Sequence, residues 1–118
     1  MAINNVLASV AVTDLESAVA WYGRLLEHGP ESRPMPELAE WRFERGGWLQ
    51  VYRLPERAGA GSFTLTVSDL DAEVRRIAAL GIDVGQRTSG KWGSTLMMTD
   101  PDGNHIAFAE PLTPTMAR

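Results

Sequence analysis

Cysteine is absent from the 118 residues. That removes disulfide frameworks, thiolate nucleophiles and cysteine metal sites, and it is compatible with a cytoplasmic location. No stretch approaches the roughly 18 consecutive apolar residues of a membrane span. The opening stretch "MAINNVLASV" has no basic start and no cleavage signature, so no signal peptide is expected. An excess of positive charge is missing as well. Lys and Arg number 11 against 15 Asp and Glu, a formal net charge of −4, which leaves no basic footprint for nucleic acid. That charge suits a cationic ligand weakly and is equally an ordinary solubility charge. Histidine is limited to His28 and His105, and two isolated imidazoles do not make a metal site.

What is present is a globular composition, 44% hydrophobic and 22% charged, at a length that fits one domain (1–118) with a real core. The most informative pattern is an internal echo. "VAVTDLESAVAWYGRLLEHG" (10–29) resembles "LTVSDLDAEVRRIAALGIDV" (65–84). A repeat at about half the chain points to duplication rather than to a solenoid. It sets module boundaries near 1–54 and 60–111, with "RLPERAGAGS" as linker and 112–118 as a tail.

Each half opens on an alternating strand. Val6, Ala8, Val10 and Val12 face one way against Leu7, Ser9 and Ala11, and Phe63, Leu65 and Val67 oppose Ser62, Thr64 and Thr66. A helix start follows at once. Thr13-Asp14-Leu15-Glu16 fits a capping box headed by Thr13, and Ser68-Asp69-Leu70-Asp71 is its shorter counterpart. The helical stripes are Leu15, Val19, Tyr22, Leu26 and Leu70, Val74, Ile77, Leu80, with stops at Gly29-Pro30 and Gly81. Strand-like pieces then fall near 31–35, 39–45 and 48–53, with Gly46-Gly47 as a hairpin turn, and near 83–87, 94–99 and 105–110. The order is β-α-β-β-β twice, an α+β arrangement in which one helix covers one face of each sheet. Val10, Val12, Leu65, Val67, Ile106 and Phe108 are the helix-facing set. The other side is left to curve around something.

With "VAVTDLESAVAWYGRLL", its repeat and the closing "TDPDGNHIAFAE", the sequence resembles the vicinal oxygen chelate superfamily to about residue 111. That fold is shared by glyoxalase I, extradiol dioxygenases, fosfomycin-resistance enzymes and bleomycin-resistance proteins. The resemblance implies paired β-α-β-β-β modules forming an incomplete barrel around a cavity, and many members build each cavity across a homodimer. Metal-dependent members hold a divalent ion with a His on the opening strand of a module and a Glu on its closing strand. Carried over by motif, those positions are Leu7, Gln50, Ser62 and Ala107. Leucine and alanine have no donor atom, and a hydroxyl or an amide oxygen is a weak ligand for a transition metal. The chain therefore resembles the metal-free branch, with no metal and no cofactor expected.

In the first half the ligand-facing candidates are Leu7, Ser9, Trp48, Gln50 and Tyr52; in the second they are Ser62, Thr64, Trp92, His105 and Ala107. His105 shares the parity of Ala107 and is the candidate general base; its place beside a turn also fits an exposed structural histidine. His28, at a helix end, suits the helix dipole. Trp48 and Tyr52 fit a pocket or a core, Trp21 reads as core, and Trp92 in "SGKWGS" fits a pocket rim or lid. Thr66 adds a further hydroxyl to the cavity side. Ser62 has no base at a predictable spacing and is not a nucleophile. Glu37, Glu40 and Glu44 read as a solvated edge. Three readings stay open. The first is a metal-independent protein that binds a partly aromatic or apolar small molecule, in sequestration or resistance. The second is an enzyme of the glyoxalase type acting on a small carbonyl or aromatic substrate. The third is a structural or regulatory homodimer without catalysis. None of them involves nucleic acid or a membrane.

Overall fold

Alternating side chains make strands, and an aspartate after each opening strand turns the chain into a helix. The computed structural model describes residues 2–112. The elements are β1 (Leu7–Val12), α1 (Leu15–Leu26), β2 (Ser32–Met35), β3 (Leu38–Arg42), β4 (Trp48–Arg53), β5 (Ser62–Thr66), α2 (Leu70–Ala79), β6 (Gln86–Gly90), β7 (Gly93–Thr99) and β8 (His105–Pro111). A single 3-10 turn, Pro55–Arg57, lies between β4 and β5. The chain divides into two compact units: residues up to Gly61 with Pro101–Asn104, and Ser62–Asp100 with the chain from His105 on. Each carries one four-stranded sheet, ordered β1-β4-β3-β2 in the first and β5-β8-β7-β6 in the second. The pairs β1–β4 and β5–β8 are parallel and the others antiparallel. This is the twofold β-α-β-β-β order that the sequence predicts, and both sheets remain open. Residues 113–118 of the expected tail lie outside the described residues. Among the described residues, no helix is long and apolar enough to cross a membrane.

In the first unit α1 packs on Val10, Val12, Trp41, Leu49 and Val51, all at most 1% exposed. The buried side of α1 is Leu15, Ala18, Tyr22 and Leu25 rather than the predicted Leu15, Val19, Tyr22 and Leu26. The large Trp41 supplies the volume from the sheet side, its ring centroid 6.0 Å from that of Tyr22, and a small residue at 18 lets the helix approach. In the second unit Leu70 and Ile77 of α2 are buried with Leu96, Met98, Ile106 and Phe108. Leu65 and Val67 are only half-buried.

Three local expectations are corrected. The helix caps are Asp14 and Asp69, whose carboxylates accept from the N–H groups of Glu16 and Ala72; Thr13 and Ser68 precede the caps. Aspartate reaches the free N–H groups and places negative charge at the helix start. Glu16 does not reach back; it pairs with Arg33 at 2.7 Å. Strand β6 starts at Gln86 rather than near 83. Asp83 Oδ1 accepts from Gly85 N at 3.0 Å, and Gly85 turns at a positive φ so close to Met97 that an added Cβ would clash with its carbonyl oxygen.

Thr13 is free for another partner. Its hydroxyl donates to Asp102 Oδ1 at 2.6 Å and its N–H reaches Oδ2 at 3.3 Å. Asn104, fully buried, accepts from Gly59 N (3.1 Å) and Gly61 N (2.8 Å) and donates to the Ala11 carbonyl (2.8 Å). The Asp-Pro-Asp-Gly-Asn turn is thus a clasp that satisfies the buried backbone where the chain leaves the first unit.

Candidate functional site

With Leu49 and Val51 committed to the helix side, Trp48, Gln50 and Tyr52 of β4 must face the other way. Register then sets three rows across the open face of the first sheet: Leu7, Trp48, Arg42; Ser9, Gln50, Glu40; and Ala11, Tyr52, Leu38. The middle row is hydrogen-bonded end to end. Ser9 Oγ donates to Gln50 Oε1 at 2.8 Å, and Gln50 Nε2 donates to Glu40 Oε2 at 2.8 Å. Beside it runs a groove of about 660 Å³, floored by Ser9, Gln50 and Tyr52 and walled by Met35, Pro36 and Leu38. Glu37 and Arg53 line one end, where Arg53 N donates to the Glu37 carbonyl at 2.9 Å. The mixture of apolar wall and few polar groups is that of a small-molecule site.

Ser9, Gln50 and Tyr52, singled out from the sequence, therefore converge. Leu7 and Trp48 share their face but lie one row away from the groove. Ser62, Thr64, His105 and Ala107 lie on the open face of the second sheet, where Ser62 pairs with His105 and Thr64 with Ala107. His105 is exposed at the start of β8. Trp92 occupies the β6–β7 turn at 70% exposure, with the Lys91 ammonium 5.2 Å from its ring centroid. Trp41, by contrast, is core, its Nε1 donating to the His28 carbonyl at 2.9 Å.

Sequence reasoning missed Met35, Pro36, Leu38 and Arg53, and it put Glu40 on a solvated edge. Glu40 is half-buried and ends the polar row. The signal was Trp41: once it is assigned to the core, alternation turns Leu38, Glu40 and Arg42 to the open face.

The positions that the resemblance assigns to metal ligands are diagonal neighbours in each sheet, Leu7 with Gln50 and Ser62 with Ala107. Two lack donor atoms, and the Gln50 oxygen is taken by Ser9. Among the described residues no three His, Asp or Glu side chains come together in a way that could hold a metal. These residues do not fit a divalent ion.

Residues 7–109 match the model of the glyoxalase-like domain. The chain belongs to the glyoxalase-like domain family. It is thereby part of the vicinal oxygen chelate superfamily. A glyoxalase/bleomycin resistance protein from Catenulispora acidiphila is 36% identical, with a TM-score of 0.83 over 92% of this chain and 98% of that one. TnmS3, an antibiotic-binding protein from a Streptomyces species, is 28% identical, with a TM-score of 0.81 over 94% and 98%. A bleomycin resistance determinant encoded on the transposon Tn5 shares the fold at 19% identity, with a TM-score of 0.79 over 94% and 100%. No curated protein matches this member of the glyoxalase-like family.

Proposed function

We propose that this glyoxalase-like chain is a metal-independent binding protein that holds a partly aromatic or apolar small molecule, in a sequestering or resistance role. The observation that carries the reading is the groove of about 660 Å³ on the open face of the first sheet. It is large enough for a drug-sized ligand, and apolar side chains dominate its walls. The donor-poor residues at Leu7, Gln50, Ser62 and Ala107 support independence from metal. The likeness to TnmS3, named as antibiotic-binding, points the same way. Ser62, Thr64, His105 and Ala107, on the second sheet's own open face, and Trp92, in its β6–β7 turn, belong to this reading as ligand contacts. So do a homodimer and a cytoplasmic location, checked by light scattering and by cell fractionation.

The test is calorimetric titration of the purified protein with a panel of aromatic and apolar compounds, repeated with Ni²⁺, Zn²⁺, Mn²⁺ or Fe²⁺ added. Saturable binding, unchanged by metal and without a stoichiometric ion in elemental analysis, is expected. Binding only in the presence of an ion, or a flat response across the panel, overturns the reading. Turnover that disappears in His105→Ala, with the fold intact, replaces it with an enzyme.

A further inference from the structure

Glu40 does not line the groove, yet it decides what the groove offers a ligand. A carboxylate only accepts hydrogen bonds. With Glu40 Oε2 2.8 Å from Gln50 Nε2, Gln50 must turn its nitrogen towards Glu40 and its oxygen towards Ser9. Ser9 Oγ, 2.8 Å from Gln50 Oε1, must then give its single hydrogen to that amide. The direction of each bond is set from the carboxylate backwards. On the groove floor Ser9 Oγ is left with only lone pairs to offer, beside the second amide hydrogen of Gln50. Glu37 and Arg53, at one end of the groove, carry opposite charges and do not by themselves favour a ligand of either sign.

We infer that Glu40 is a positioning residue that makes the groove select apolar ligands carrying an N–H or O–H donor over the matching carboxylates and esters, which only accept. The inference rests on the groove being the ligand site. A donor meets Ser9 Oγ and leaves the row intact. An acceptor can pair with the second Gln50 N–H or with Tyr52, which line the same groove, but at Ser9 Oγ it stays unpaired or forces Ser9 to withdraw its hydrogen from Gln50, so it makes one bond fewer than a ligand that also donates. Leaving a desolvated polar group without its partner is what gives such sites their discrimination.

The experiment uses three probes with one ring system: naphthylacetamide, which has N–H donors; methyl naphthylacetate, which only accepts; and ethylnaphthalene, which has no polar group. Titrated calorimetrically, the wild-type protein is expected to bind the amide about five- to tenfold more tightly than the ester. In Glu40→Gln the paired amides can face either way. The preference then falls to within about twofold, while ethylnaphthalene affinity and the melting midpoint stay where they were. Ser9→Ala, which removes the acceptor itself, abolishes the preference. Equal binding of amide and ester by the wild type, or a preference that survives in Glu40→Gln, overturns the inference and leaves the groove as a ligand site. A loss of all three affinities together in Glu40→Gln makes Glu40 merely structural and also overturns it. Absence of binding by any probe to the wild type overturns the proposed function and this inference with it.

Discussion

The two sheets share one topology but differ in what their open faces carry. The row Ser9–Gln50–Glu40 of the first corresponds in register to Thr64–Ala107–Met97 in the second. Where the first sheet has an amide held between a hydroxyl and a carboxylate, the second has alanine with an exposed Met97 beside it. Where the first has Tyr52 and Leu38, the second has Ala109 and Thr95. Its hydroxyls bond among themselves instead, as between Thr88 and Thr95 at 2.7 Å. The two halves share the parts that make each of them fold, the aspartate caps and the helix-facing apolar residues. The open faces are free of that demand, and they differ.

The same comparison applies to the cores. Trp41 and Met98 occupy equivalent strand positions, opposite Leu49 and Ile106. Trp41→Ala is expected to cost about 3–5 kcal/mol in urea denaturation, since it leaves a large cavity and an unpaired His28 carbonyl. Met98→Ala is expected to cost less, about 2–3 kcal/mol. An equal cost at both sites would mean that the two cores are more alike than their volumes imply. The turns before β4 and β8 come next. Asn104→Ala leaves two backbone N–H groups and a carbonyl without their partner and is expected to cost about 3 kcal/mol. Gly47 stands at the equivalent place before β4, and a Cβ there meets nothing within 4 Å. Gly47→Ala is therefore expected to stay within about 0.5 kcal/mol. A large loss in Gly47→Ala would show that the first turn also acts as a clasp.

How much of this was legible in the sequence follows the same division. The repeat, the strand order and most of the strands' core faces were readable because alternation is imposed by burial itself, while the stripe of α1 was misread at Val19 and Leu26, where Ala18 and Leu25 are the buried residues. The caps were off by one residue because threonine and aspartate are both good caps, and only Asp102, far along the chain, shows that Thr13 is engaged elsewhere. The floor of the groove was readable at Ser9, Gln50 and Tyr52 from parity in β1 and β4. Its walls were not. Met35 and Pro36 sit at the irregular pairing of β2 with β3, where the register shifts and no period exists to be read. Glu40 was hidden in a run of charges until register placed it opposite Gln50.

If the open faces differ in function as they do in chemistry, a change in the groove should matter where its counterpart does not. Tyr52→Ala removes the aromatic part of the groove floor. It is expected to weaken binding of an aromatic probe about tenfold, roughly 1.4 kcal/mol, with little change in the melting midpoint. Ala109→Ser, at the equivalent place on β8, is expected to leave that affinity within about twofold. Calorimetry on the two variants distinguishes a ligand held by the first sheet from one held equally by both.

The smallest expected difference concerns how each helix is tied to its own unit by charge. In the first unit Arg33 binds Glu16 through two nitrogens, at 2.7 and 3.3 Å. The hydrogen bond first, and the charge of Arg33 second, hold the Glu16 carboxyl below its ordinary range. A carboxyl whose folded value is lowered contributes stability that is fully present above the ordinary glutamate range and is lost as the pH falls through the folded value. The contribution is therefore present at neutral pH and disappears in acid, below about pH 4. Both groups are solvent-facing, so salt should screen the pair and the effect should be small. Glu16→Gln is expected to lower the melting midpoint slightly at pH 7 in low salt, and to make no difference near pH 3 or in molar salt. A penalty that persists unchanged at low pH would mean that Glu16 acts by shape or by its place in the first turn of α1, and not by its charge.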